Sequence, residues 1–500
     1  MKPEIIKRLT KINGLLALMV LAASPLFAQE TLTLDKALQI AGTNSPGIQT
    51  SLLNLERYQK NLEAQRAALK SKFTLGVTPV DYTNTRRFDT RVSEWYTNES
   101  FASNATFRVE QPILATDGTI SLVNRFGWQN SNAVFEGGNS TESKRYTNNL
   151  YLNLSQPIFT YNRLKLQLKE LELSFENAGI NYALQRMNLE KNVTQFFYNV
   201  YMSQMNLSIT RDELGNTQKS YDIIKNKVDA GLAAREELYQ AELNLATSKS
   251  SLQNAQVNFE NAKDQLKMYL GMDLFTDILV LADVAANPVP VDLDKAIENG
   301  LGNRMELRQR EIDVETSQFE MIRTKALNEF SGDVNLAFGI IGDNEKLGQI
   351  FDQPTKNPQV QLSFNIPLFD WGEKKARIKA QEAAIKSQEL NLSEEKKQII
   401  IDIRQVYRNL QNQLNQIEIA RQNERNAQLT YEINLERYQN GDLTGMDLNL
   451  YQTQLSTKKI AYAQSLINYK IELLNLKIQT LYDFEKQQPI LPAELYKQNQ

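Results

Sequence analysis

Two hydrophobic periods alternate along this chain. The first is a period of two. Phe73, Leu75 and Val77 alternate with Thr74, Gly76 and Thr78, and Leu150, Leu152 and Leu154 with Tyr151, Asn153 and Ser155. Val334, Leu336, Phe338 and Ile340, and then Val360, Leu362, Phe364 and Ile366, alternate with polar or small residues in the same way. One apolar and one polar face predict strands of about 9–11 residues, the pattern of a membrane β-barrel, which a half-buried soluble sheet shares. Each strand pair ends at a proline, Pro157 or Pro367, and the period then lengthens. Ile378, Ile385, Leu392, Ile399 and Val406 recur at sevens, with Ile403, Leu410 and Ile417 offset by four. That spacing predicts proline-free helices over 162–227 and 371–438, each about 100 Å long and packed lengthwise as in a coiled coil. Glycine-containing tips follow at 228–234 and 439–444, and helices return over 235–270 and 444–485. These return helices are shorter than the rods. Stacked end to end with the helices that begin at Pro46 and Asn303, they match the rods in length.

The pattern is a tandem duplication. Leu34-Asp35-Lys36-Ala37 recurs 259 residues on as Leu293-Asp294-Lys295-Ala296, and Gln156-Pro157-Ile158-Phe159 is echoed 210 residues on by Ile366-Pro367-Leu368-Phe369. The second offset also pairs Gly231 with Gly441 and Glu237 with Asp447. The first repeat spans 29–285 with strands over about 73–157, the second 286–486 with strands over about 333–366, and 487–500 is a tail. Between its matched zones the first copy carries 49 more residues than the second. This surplus contains Gln111-Pro112-Ile113-Leu114 and the turn signal Asp117-Gly118, which predict an additional hairpin near 101–131, expected outside or capping the barrel wall. The class is α+β, mostly α.

Composition narrows the function. The chain has no cysteine and no histidine, so disulfides, thiolate chemistry, a lipidated N-terminal cysteine and the commonest metal ligand and general base are missing. No cofactor and no metal site are expected. Lys2, Lys7, Arg8 and Lys11 precede the apolar run Leu15–Ala23, and Ala28 suits the last position before cleavage, so 1–28 is read as a signal peptide. The mature chain then carries 52 basic against 58 acidic residues, which argues against nucleic acid as a partner. No later apolar run is long enough for a membrane helix, so any span must be a β-barrel. Four strands from one chain cannot close such a barrel, so several chains are required, and helix columns closing with them would enclose a water-filled conduit.

The duplication, the strand-end motifs Gln156-Pro157-Ile158-Phe159 and Asn365-Ile366-Pro367-Leu368-Phe369, and the tips Gly231-Leu232-Ala233-Ala234-Arg235-Glu236-Glu237-Leu238 and Gly441-Asp442-Leu443-Thr444-Gly445-Met446-Asp447-Leu448 resemble the TolC-like outer-membrane efflux proteins. The resemblance covers nearly the whole mature chain. It implies a homotrimer whose coiled-coil helices form a periplasmic α-barrel, capped by a shared 12-stranded transmembrane β-barrel among outer-membrane lipid. It implies a passive exit duct in a tripartite efflux or type I secretion system. A periplasmic adaptor bound to an inner-membrane transporter would dock at the tips, at Gly231, Leu232, Ala233, Gly441, Leu443 and Thr444. It also implies an acidic gate, with Asp447 at the first gate position and Glu237 as its counterpart. Leu450 stands where the family often places a second acid. Asp447 can equally be a helix N-terminal acid favoured by the macrodipole. A coiled-coil envelope adaptor or structural protein without a pore is the alternative. An enzyme acting through carboxylates alone is disfavoured, because the acids are spread along helix faces.

Overall fold

The computed structural model describes residues 30–490 apart from 92, 286 and 441. The expected signal peptide, Gly441 and the last ten residues lie outside that set. The described elements are β1 (Glu30–Leu32), α1 (Leu34–Asn44), α2 (Pro46–Ala68), β2 (Lys72–Asp89), β3 (Glu94–Ile113), β4 (Gly118–Phe135), β5 (Ser140–Ile158), α3 (Arg163–Asp229), α4 (Arg235–Leu270), β6 (Ile278–Val280), α5 (Leu293–Asn303), α6 (Met305–Ala326), β7 (Ser331–Asn344), β8 (Thr355–Asn365), α7 (Glu373–Gln439), α8 (Gly445–Thr480), β9 (Tyr482–Asp483) and β10 (Gln488–Pro489). The order of helix pair, strands, 67-residue helix, turn and 36-residue helix occurs twice. The residues fall into two compact units, one formed by 53–180 and 306–396, the other by the chain up to Leu52, 181–305 and the chain from 397 on.

The first unit carries one six-stranded sheet in the order β2-β3-β4-β5-β7-β8, every neighbouring pair antiparallel. Two expectations change here. The additional hairpin does not stand apart from the other strands. As β3 and β4 it lies in the middle of the sheet, with continuous pairing from Ile113↔Gly118 to Tyr96↔Phe135. The physical reason lies at its turn. Asp117 takes a positive φ of 62°, and its buried carboxylate accepts hydrogen bonds from Leu164 N at 3.1 Å and Arg163 Nε at 2.8 Å. The turn thus caps the start of α3 and satisfies an orphan helix donor. Asn162 and Gln156 donate to the carbonyls of Leu114 and Thr116, each at 2.7 Å, so the hairpin is tied to the strand-helix junction.

The strands are also longer than expected, 18, 20, 18 and 19 residues for β2 to β5 against 14 and 11 for β7 and β8. The added length, Tyr82–Asp89 paired with Glu94–Phe101 and beyond, is largely polar on both faces and leaves little alternation to read. Cross-strand contacts hold it instead: Phe88 on Trp95 with ring centroids 5.4 Å apart, and an Arg86–Glu136 ion pair. In the same unit α6 is pinned to α3. Arg308 is bidentate to Glu176 at 2.7 and 3.1 Å, and those bonds raise its pKa above the ordinary guanidinium value.

The second unit is helical. The sevens place Ile399, Ile403 and Leu410 of α7 at complete burial, alongside Leu455, Leu466, Ile467 and Leu476 of α8. In the first repeat Val193, Phe197 and Val200 of α3, with Leu266 and Leu270 of α4, fill the matching role. Each fully buried leucine or isoleucine contributes roughly 1.5–3 kcal/mol. The end of α4 meets the end of α1 at Gly271, whose missing side chain lets the Asn44 carbonyl approach. The second repeat repeats this junction, with Arg304 hydrogen-bonded to Gln479. Thr480 ends α8 earlier than the expected 485, because Leu481 takes a positive φ of 50° and Tyr482 enters β9. No described helix is long and apolar enough to cross a membrane.

Candidate functional site

The helix-turn tips are built by backbone geometry. Gly231 has φ 74°, its N–H donates to Val228 O at 2.9 Å, and Leu232 N donates to Lys227 O at 2.7 Å. This is a Schellman ending, in which a left-handed residue returns the last carbonyls to useful partners. At the second tip Asp442 N donates to Arg437 O at 2.9 Å, the same bond 210 residues on. By that register the counterpart of Leu232 is Asp442, and that of Leu443 is Ala233. The exposures agree. Leu232 is 79% exposed, whereas Leu443 and Ala233 are both half-buried. Of the two tip leucines, Leu232 therefore stands out and Leu443 does not.

The second tip has a capped exit and the first does not. Thr444 is the N-cap of α8: its Oγ1 accepts from Asp447 N at 3.2 Å and donates to the Asp447 carboxylate at 2.7 Å. The hydroxyl thus caps α8 while the carboxylate one turn on holds the hydroxyl in place. Ala234 caps α4 without a side-chain bond, and Glu236 and Glu237 occupy the first turn, where the helix dipole favours acids. Asp447 and Glu237 are both exposed, and Leu450 one turn on is 56% exposed. A Cβ built on Gly445 would just reach ordinary contact with Ser220, so α8 begins close to α3. Among the described residues no cluster of acids could hold a metal ion.

The sheet presents two chemically distinct faces. Cross-strand partners share a face, so the register links Phe73, Val109, Leu122, Leu152 and Phe338 in one row and Ile120, Leu154, Leu336 and Val360 in another. These side chains stand open: Phe73 is 67% exposed, Leu152 52% and Val360 78%. An uncovered apolar face spanning six strands far exceeds what a water-soluble sheet leaves bare. On β4 it runs from Ile120 to Trp128, in the range of 9–11 residues that a tilted strand needs to cross a bilayer. Trp128, Tyr146, Phe101 and Tyr82 cluster at its outer border, like an aromatic girdle. The opposite face carries Thr74, Thr106, Asn149, Asn153, Gln359 and Gln361, side chains suited to water. Both outermost strands, β2 and β8, have one unpaired edge. The sequence alternation marked the apolar face. The capping role of Asp117 was missed, since an Asp-Gly turn signal says nothing of a helix 46 residues away.

Known proteins agree with this geometry. By fold, the chain is similar to the Campylobacter jejuni CmeC outer membrane channel (TM-score 0.69, 15% identity, 93% of this chain and 89% of that one). It is also similar to the open state of the Neisseria gonorrhoeae MtrE outer membrane channel (TM-score 0.64, 14% identity, 92% and 90%). The outer membrane protein VceC of Vibrio cholerae is a third (TM-score 0.63, 13% identity, 91% and 96%). No curated protein sequence matches the chain. The family model for outer membrane efflux proteins matches residues 119–272 and 296–478, which is most of the chain and both of its repeats. The chain therefore belongs to the outer membrane efflux protein family, the TolC-like channels, rather than to any family of enzymes.

Proposed function

We propose that this efflux channel is the exit duct of a tripartite system, in which three copies close a β-barrel in the outer membrane and their helices enclose a periplasmic tunnel. A periplasmic adaptor, bound to an inner-membrane transporter, engages the tips and opens the duct. The observation that carries the reading is the uncovered apolar face of a sheet whose two edges are both unpaired. In hydrocarbon an unpaired edge costs several kcal/mol per group, so the edges must meet those of other copies. The strands alternate in direction, so β8 of one copy can pair antiparallel with β2 of the next. The polar face then lines water. Asp447, with Glu237 and Leu450, forms the gate, and exposed Leu232 is the principal adaptor anchor, with Gly231, Ala233, Gly441, Leu443 and Thr444 as the other docking residues of the two tips. With no cysteine in the sequence, no thiol is available for lipidation.

The test is made in cells. Tagged protein is expected in outer-membrane fractions, running as a trimer in native mass spectrometry. Leu232→Asp is expected to abolish cross-linking to the adaptor and lower efflux at least tenfold while the trimer persists, since an apolar anchor tolerates a buried charge badly. A folded monomer in the membrane, or unchanged efflux and cross-linking in Leu232→Asp, would contradict the trimer or the tip docking respectively.

A further inference from the structure

The added hairpin changes both the size and the charge of the channel. We infer that β3 and β4 are full wall segments, so that three copies enclose eighteen strands, and that Arg108 and Arg125 on this hairpin bias the lumen toward anionic solutes. The inference rests on the trimeric duct reading for its copy number. Three observations on the sheet carry the rest.

First, the hairpin shares the apolar band. Val109 and Leu122 sit in the same row as Phe73, Leu152 and Phe338 of the flanking strands. A hairpin standing inside the lumen or above the barrel would have no use for that face. Second, its turn is built into the junction where β5 becomes α3, through Asp117, Leu114 and Thr116. Third, β2 pairs with β3 and β5 with β4 over nearly their whole lengths, and β2 and β5 do not pair with each other. Withdrawing the hairpin would strip two ladders within the bilayer. At about 4.8 Å between strands and about 40° of tilt, twelve strands give a barrel roughly 24 Å across and eighteen roughly 36 Å, backbone to backbone.

The charge lies on the opposite face. Arg108 is level with Thr74, Val123, Tyr151, Gly339 and Asn357, and Arg125 with Gly76, Thr106, Asn149, Ile341 and Thr355. Both arginines are exposed, and neither row contains another charge. In the adjacent rows, Lys72 sits opposite Glu110, and Asp343 pairs with Arg145 at 3.3 Å. The two guanidiniums are thus the uncompensated charge of the mid-wall, and three copies set six of them around the lumen. Rings of arginine favour anions, and within a Debye length of about 8–10 Å the field persists at physiological salt.

The chain has no cysteine, so single cysteines report cleanly. In the native membrane, water-soluble thiosulfonates are expected to modify Thr106→Cys and Val123→Cys and to spare Val109→Cys and Leu122→Cys. Equal modification of all four would overturn the wall assignment. Val123 lies across from Arg108 and two residues from Arg125, so an anionic reagent should react with Val123→Cys several-fold faster than a cationic one. That ratio should collapse when Arg108→Gln and Arg125→Gln are added. A ratio unaffected by removing the arginines would overturn the anion bias. Electron cryomicroscopy of the purified oligomer is expected to count eighteen strands, and twelve, from a dimer or a stand-off hairpin, would overturn the wider barrel. Eighteen strands in a protein whose deletion leaves efflux unchanged would keep this inference and remove the duct reading.

Discussion

Asp447 shows how one side chain can serve local and collective roles. Within one copy it closes the Thr444 cap, where its charge meets the positive end of α8. In a trimer the same carboxylate would face two others near the axis, and clustered acids in water bind cations. The two roles are separable by substitution. Thr444→Ala removes the cap and should cost about 1 kcal/mol of stability while leaving the charge in place. Asp447→Asn removes the charge and keeps a side chain that can still meet Thr444. In planar bilayers, divalent cations on the tip side are expected to block wild type and Thr444→Ala alike, and Asp447→Asn several-fold less. Equal block in all three would leave Asp447 as a cap alone. Leu450→Ala is expected to enlarge the resting conductance if the exposed leucine seals the axis.

At the scale of elements, the two left-handed glycines test what ends a helix. Gly231 has open space around it, so Gly231→Ala meets only the strain of its φ and should cost about 1–2 kcal/mol. Gly271 has φ 69° and the Asn44 carbonyl against it, so Gly271→Ala adds a backbone clash to the same strain. Thermal melts should rank Gly271→Ala well below Gly231→Ala, and the reverse order would show that the α4–α1 junction yields freely. The rods were legible because burial follows a sequence period: Ile399, Ile403 and Leu410 fall on the sevens and are fully buried. The apolar face of the strands was legible for the same reason. The outer halves of β2 to β5 were not, because neither of their faces is apolar throughout. The placement of β3 and β4 depends on Asp117 reaching Arg163 and Leu164, a contact across chain distance that no local pattern records. By residue type Leu443 looks like the partner of Leu232, but the Asp442–Arg437 backbone bond sets the register and gives Leu443 the half-buried place of Ala233.

At the scale of the whole molecule, the unpaired edges of β2 and β8 are also a statement about time and concentration. Until it meets its neighbours, a new chain carries two open edges and a bare apolar face, the features that drive strand-by-strand aggregation. On the proposed trimeric reading, a membrane-inserted single copy would have no stable refuge, so assembly would accompany insertion or precede it. The folded state then depends on protomer concentration, as for any obligate oligomer. Refolding into lipid vesicles should yield protease-resistant protein with a steep, higher-than-first-order dependence on chain concentration, and first-order folding would show that one copy inserts alone. In the cell, such a chain spends its most hazardous interval between export and encounter. On the same trimeric reading, its abundance would be limited by how fast three copies find one another before chaperones and proteases find one.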